Sequence, residues 1–298
     1  MIWVVGNKGM LGGELSRTFA QAGIAFVGSD REIDFLDPIT IRKFAELNHI
    51  TGIVNCAGYT AVDKAEDEPE MCQRLNVDGP ANLASLASEL GLKFVHISTD
   101  YVFAGDASSP YREEDTVNPQ SIYGKTKAEG ESRVLGIYPQ SVIVRTAWLY
   151  GEFGSNFVYT MLKLMNSRDE IGVVGDQIGS PTWTRDLAEA LLVIIQDTGK
   201  HSGIYHFTNE GITNWHAFAT AIYEEGVNAH ILTKPCKIKK LTTAEYPTKA
   251  KRPAYSVLSK DKIIKDFGIR IPKWRESLCL FIQTIAHKPE LLSAWHIW

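Results

Sequence analysis

The sequence predicts an α/β fold in which a doubly wound parallel sheet carries a smaller, discontinuous lobe. Three observations predict it. Short apolar runs alternate with single amphipathic helices over the first half of the chain, a glycine-rich turn joins the first run to the first helix, and the texture turns irregular after about residue 146. The 298 residues, 44% hydrophobic and 22% charged, are enough for one large domain with a companion and exclude disorder as the main state. A net charge of −4 argues against a nucleic-acid partner, which would call for a basic face. Cys56, Cys72, Cys236 and Cys279 are far apart, lack Cys-x-x-Cys spacing and read as free thiols. Met1 leads straight into an apolar strand with no basic leader, and no run reaches the ~20 apolar residues of a membrane span. A cytoplasmic protein without a membrane partner is expected.

Taken in order, Ile2–Val5 reads as the first strand, 9–22 as the first helix and 24–27 as the second strand. A helix at 39–47, a strand at Gly52–Asn55, a helix at 80–90 and a strand at 93–98 follow. Leu83, Ala84, Leu86, Ala87 and Leu90 recur at helical spacing, which suits a helix lying on a sheet. A helix at 121–137 and a strand at 141–145 complete the regular half. Beyond it come a helix at 156–165, a short strand at Glu170–Val174 and a polar turn over 175–181. Thr184–Gln196 as helix and 203–208 as strand look like a return to the sheet, which should then hold about seven strands. A helix at 215–225 precedes a mixed region with basic clusters at 237–240 and 249–253. The expected division is a core of 1–150 completed by about 184–210, a lobe of 151–183 and 211–285, and a tail of 286–298 containing Trp295 and Trp298.

Gly6-x-x-Gly9-x-x-Gly12 sits between the first strand and the first helix. A turn without side chains lets a pyrophosphate approach the free N–H groups and positive dipole end of a helix, so the sheet is read as Rossmann-type and dinucleotide-binding. Asp30, 18 residues past Gly12, is placed to accept hydrogen bonds from the adenosine ribose of NAD, whereas the adjacent Arg31 suits the 2′-phosphate of NADP. The two point to opposite cofactors, and use of both NADPH and NADH is expected, with a slight lean to NADPH. Asn55-Cys56-Ala57-Gly58, at the end of the third strand, is small enough for a cofactor to cross closely.

Ser98-Thr99-Asp100-Tyr101 ends the fourth strand, at the edge where open α/β sheets hold ligands. Tyr123 and Lys127, four apart, share a helix face. A phenol titrates near ~10, and a lysine one turn away would favour its ionised form. Thr99 can bond the carbonyl oxygen that Tyr123 protonates. Hydride from a nicotinamide, a proton from Tyr123 and orientation from Thr99 and Lys127 amount to a carbonyl reductase.

On these residues the chain resembles the extended short-chain dehydrogenase/reductases, and among them the dTDP-4-dehydrorhamnose reductase family. The matching stretches are Val54-Asn-Cys-Ala-Gly-Tyr-Thr-Ala-Val-Asp-Lys-Ala-Glu66, Asn76-Val77, His96-Ile-Ser-Thr-Asp-Tyr-Val-Phe103, Tyr123-Gly-Lys-Thr-Lys127, Arg145-Thr-Ala-Trp-Leu-Tyr150, Asp176-Gln-Ile-Gly-Ser-Pro-Thr182 and Arg252-Pro253. The resemblance implies reduction of the C4 ketone of dTDP-6-deoxy-L-lyxo-4-hexulose to dTDP-L-rhamnose. It implies Thr99, Tyr123 and Lys127 as catalytic residues, Asp100 and Tyr101 beside the sugar, Trp148 as an aromatic wall and Arg252 at the phosphates. It extends the cofactor contacts to Lys8, Met10, Leu11, Leu36, Cys56, Ala57, Gly58, Tyr59 and Asn76. Some members of the family are homodimers bridged by magnesium through glutamates, and Glu14 would be the first of these here. Two alternatives stay open: a reductase of another nucleotide-activated 4-keto-6-deoxysugar, and a non-catalytic regulatory subunit like that of methionine adenosyltransferase.

Overall fold

The computed structural model describes residues 1–298 except Lys200, His296 and Trp298, so the Trp298 of the tail lies outside the described residues. Twelve strands and twelve α-helices follow one another among the described residues. The regular half runs β1 (Ile2–Val5), α1 (Met10–Gln21), β2 (Phe26–Ser29), α2 (Pro38–Leu47), β3 (Gly52–Asn55), α3 (Val62–Ala65), α4 (Pro69–Gln73), α5 (Gly79–Leu90), β4 (Lys93–Thr99), α6 (Ile122–Ile137) and β5 (Val142–Thr146). The rest is β6 (Leu149–Tyr150), α7 (Phe157–Ser167), β7 (Glu170–Val174), β8 (Ile178–Gly179), β9 (Thr182–Trp183), α8 (Thr184–Gln196), β10 (Gly203–His206), β11 (Thr213–Asn214), α9 (Trp215–Asn228), β12 (Lys237–Leu241), α10 (Asp261–Phe267), α11 (Trp274–Ala286) and α12 (Pro289–Ala294).

The central sheet is parallel throughout, in the order β2-β1-β3-β4-β5-β10. Alternation along each strand sends Val4, Val54, Val95, Val142 and Val144 to one face, where Leu11, Leu15 and Phe19 of α1 and Leu187, Leu191 and Ile194 of α8 cover them. Trp3, Val5, Ile53, Phe94 and Ile143 point to the other, under Ile41 of α2, Leu83 and Leu86 of α5 and Val134 of α6. Strand order reverses between β1 and β3, and the chain leaves both strands there at their carboxyl ends. The crevice in which open parallel sheets bind ligands is therefore at the ends of β1, β3 and β4.

Two expectations are corrected. The second strand is Phe26–Ser29 and not 24–27, which brings Asp30 directly after it. The sheet has six strands and not about seven, because the remaining β-rich runs pair among themselves: β7 with β12, β8 with β11 and β6 with β9. The β7–β12 and β6–β9 ribbons belong to a second hydrophobic core, in which Tyr150, Leu162, Trp183, Phe218, Phe281, Ile285 and Leu292 pack together. α10 lies on β10 through Ile263 and the Phe267–Tyr205 ring contact, while α11 and α12 close the second core.

Candidate active site

β1 ends at the glycine turn. The N–H of Gly9 donates to the carbonyl of Gly6 (3.0 Å), and a Cβ on Gly12 would lie 2.1 Å from that same oxygen, so no other residue fits there. Gly9 is the N-cap of α1, no side chain caps the helix and its first turn carries no acid. The leading N–H groups therefore remain as donors for an anion, which is the fit a dinucleotide pyrophosphate requires. Met10 and Leu11 form that first turn. Asn76 stands on a π-helical turn, Arg74–Asp78, between α4 and α5. Its amide accepts from the Tyr59 N–H (2.9 Å) and donates to the Tyr59 carbonyl (3.2 Å), fixing the loop after β3. Asn55 braces the same loop by accepting from the Ala57 N–H (3.0 Å). Gly58 lies between Asn76 and the Lys127 ammonium, and burial pushes the neighbouring Cys56 thiol up to about 12.

At the outer edge of this groove Asp30 is half-buried and Arg31 is exposed. Glu32, which the sequence reading did not single out, accepts from the Asp30 N–H (2.8 Å) and pairs with Lys8 (3.2 Å). Leu36 sits in the following turn, its carbonyl accepting from Asn82 (3.1 Å).

β4 ends in the chemical half of the site. The Thr99 hydroxyl accepts from the Tyr101 N–H (3.3 Å) and donates to Asp100 (3.0 Å). Asp100 is buried, and desolvation raises it to about 6 against the pull of hydrogen bonds from Thr99 and Ser256. α6 starts at Ser121, whose side chain caps the Gly124 N–H (3.1 Å) and so brings Tyr123 and Lys127 to the mouth of the cleft. The Tyr123 ring meets Tyr101 edge to face at 5.5 Å, and Arg252 donates to the Tyr101 hydroxyl (2.8 Å) and to Asp63 (2.5 Å).

Burial, with the charge of Asp100 added, pushes the Tyr123 phenol above its ordinary range, and only Thr99 draws it down appreciably. Lys127, expected to favour the ionised phenol, does not bring it below its ordinary range here. The Lys127 ammonium instead donates to the Ile97 carbonyl (2.6 Å), and burial brings it down to about 8 against the opposing charge of Glu131. Below it lies a group that sequence reasoning missed. Glu131 is buried, receives two hydrogen bonds from Arg145 (2.9 and 2.6 Å) and one from Ser98 (2.5 Å). Trp148 has its ring against Gly179, with Ser256 on the other side of that glycine.

The chain is similar to known proteins over almost its whole length. The family profile described as RmlD substrate binding domain matches residues 1–287. The chain belongs to the dTDP-4-dehydrorhamnose reductase family. It is 43% identical to the spore coat polysaccharide biosynthesis protein SpsK of Bacillus subtilis over 95% of this chain and 96% of that one. It is 41% identical to the dTDP-4-dehydrorhamnose reductase of Aggregatibacter actinomycetemcomitans, over 92% and 96% of the two chains. The crystal structure of dTDP-4-dehydrorhamnose reductase from Bacillus anthracis in complex with NADP superposes with a TM-score of 0.88 at 34% identity, covering 94% of this chain and 97% of that one.

Family resemblance raised Glu14 as a metal ligand, and its surroundings do not fit one. Arg17 donates to both of its oxygens (2.7 and 2.6 Å) and Arg185 stands 3.8 Å away, so cationic side chains already fill the positions a metal would take. Among the described residues no group of three or more His, Cys, Asp and Glu side chains is arranged to hold a metal ion, and no helix is long and apolar enough to cross a membrane. Asp63 was legible only as part of a matched stretch, while Ser256, Glu131 and Trp215 carried no motif.

Proposed function

We propose that this chain is an NAD(P)H-dependent reductase that converts the C4 ketone of dTDP-6-deoxy-L-lyxo-4-hexulose to the alcohol of dTDP-L-rhamnose. What carries the reading is the meeting of Thr99, Tyr123 and Lys127 at the ends of β4 and α6, beside an uncapped helix N-terminus suited to a pyrophosphate. NAD(P)H, when bound, supplies the hydride. Tyr123 donates its proton to the carbonyl oxygen, and its raised pKa keeps that proton in place at neutral pH. Thr99, once its hydroxyl proton turns away from Asp100, donates to the same oxygen and sets the direction of approach. Lys127, held by the Ile97 carbonyl next to Gly58, is assigned to the ribose side. Asp100, Tyr101 and Trp148 frame the sugar, and the lobe formed by 151–183 and 211–285 is read as the substrate-binding part.

Arg252 is assigned to the nucleotide phosphates, for which it must exchange its ion pair with Asp63. The test is to mix the protein with dTDP-6-deoxy-L-lyxo-4-hexulose and either NADPH or NADH and follow nicotinamide absorbance. Turnover with both, within ~100-fold of each other, is expected from Asp30 and Arg31 side by side. No turnover with either would leave the regulatory-subunit alternative, and turnover only with a different 4-keto-6-deoxysugar nucleotide would reassign the substrate.

A further inference from the structure

Trp148 has φ +49°, a left-handed backbone that bulky residues rarely adopt. Its place between β5 and β6 is held by its carbonyl, which accepts from the Thr182 N–H (3.1 Å), and by the pairing of Leu149 with Thr182. The indole is gripped from two sides. Trp215 stacks on it with ring centroids 3.6 Å apart and planes 13° from parallel, and Trp215 is itself backed by Phe157 at 4.6 Å. On another side stands Gly179, where a Cβ would come within 2.7 Å of the indole and 2.8 Å of the Ser256 hydroxyl. The two jaws are in register: Gly179 of β8 pairs with Thr213 of β11, and Trp215 follows β11 directly, with Asn214 capping α9 by accepting from the Ala217 N–H (2.9 Å).

We infer that Gly179 and Trp215 are positioning residues for Trp148, fixing the indole that the proposed function sets against the sugar. The inference rests on the proposed function, since it assigns Trp148 to the sugar. With one indole face covered by Trp215 and Gly179 close on another side, the ring is held in one orientation. A fixed wall loses no rotamer freedom when a sugar packs on it, whereas a free indole would. The glycine of the Asp176–Thr182 stretch then has a physical reason: any larger residue pushes the wall towards the sugar and disturbs Ser256 beside Asp100.

The experiment titrates dTDP-L-rhamnose, dTDP and NADPH against wild type, Trp148→Ala, Trp215→Ala, Trp215→Phe and Gly179→Ala. Trp148→Ala, Trp215→Ala and Gly179→Ala should each weaken dTDP-L-rhamnose by about tenfold, the scale of one stacked aromatic contact, and leave dTDP and NADPH within about twofold. Trp215→Phe should recover most of the loss, and its native melting curve guards against a folding artefact. Far-UV circular dichroism gives an independent readout, because an exciton band arising from the stacked indole pair must be lost in both Trp215→Phe and Trp148→Ala. If Trp148→Ala weakens the sugar nucleotide while Trp215→Ala and Gly179→Ala do not, the clamp is wrong and the wall stands. If Trp148→Ala itself leaves dTDP-L-rhamnose unchanged, the assignment of the wall fails and the clamp with it. Equal loss for dTDP and dTDP-L-rhamnose in the Trp215 and Gly179 variants would also overturn the inference, as a general collapse of the lobe.

Discussion

At Tyr123 two demands on one phenol are met by different neighbours. Burial and Asp100 keep it protonated, which suits a proton donor in the reductive direction, while Thr99 opposes them only in part. Tyr123→Phe should lower kcat by ~10²–10⁴, the usual contribution of a positioned acid, with cofactor affinity unchanged. Lys127→Met should lower kcat and weaken the cofactor as well, because the ammonium lies on the nucleotide side of the cleft next to Gly58. Steady-state kinetics with cofactor titration separates the two patterns, and retention of more than about half the wild-type turnover in Tyr123→Phe, with chemistry rate-limiting, would falsify the assignment. Asp100 makes a prediction of opposite kind. Its folded pKa is raised from 3.8 to about 6, so the folded state binds more protons than the unfolded one between those values, and stability falls as pH rises through that window. Asp100→Asn removes the penalty. It should stabilise the protein by up to about 3 kcal/mol at pH 7 and by little below about pH 4, read from urea unfolding at the two pH values.

At the scale of elements, α6 joins catalysis to the core, and it shows why part of the site was hidden from sequence. The parallel sheet was legible because its strands are apolar runs buried on both faces, and the glycine turn was legible because sterics leave no alternative at Gly12. α6 has no such signature: its buried positions are Gly124, Thr126, Lys127, Gly130, Glu131 and Val134, so hydrophobic periodicity is almost absent. Glu131 carries no motif, and only the fold brings β5 beneath it with Arg145. Likewise Trp215 and Trp148 are 67 residues apart and meet only through the β8–β11 ribbon, which no local pattern announces. The buried pair yields a prediction of its own. Arg145→Met leaves the Glu131 carboxylate buried without its cation and should cost ~3–5 kcal/mol, whereas Arg145→Met with Glu131→Gln should recover much of it. Denaturant unfolding of the two variants decides: equal losses would mean that Arg145 acts by packing on Phe103, 4.9 Å from its ring, and not by charge.

At the scale of the whole molecule, the two hydrophobic cores are tied together behind the nucleotide groove by charge. Glu152, in the loop after β6, is buried and accepts from Arg17 of α1 (2.7 Å) and Arg185 of α8 (3.3 Å), and from Lys288 between α11 and α12. Arg17 also holds Glu14 and lies over the ring of Phe153 at 5.3 Å. The helix whose N-terminus suits a pyrophosphate is thereby fastened to the C-terminal helices of the second core. Burial pushes the Glu152 carboxyl up, but its bonds to Arg17 and Lys288 outweigh this and hold it below the usual carboxylate range. A depressed folded pKa means stability that is fully present above the unfolded value near 4.5 and lost as pH falls through the folded one. Glu152→Gln should therefore cost ~1–3 kcal/mol at pH 7, less than a fully buried pair because Arg17 and Lys288 are partly exposed. The difference from wild type should shrink as pH falls below 4.5 and through the depressed folded value, as the wild-type carboxyl takes up its proton. Urea unfolding across that range, with NADPH titration at neutral pH, tests both halves. A constant difference at every pH would mean that Glu152 contributes only packing, and two separate unfolding transitions in Glu152→Gln would show that the charge cluster is what makes the cores unfold as one.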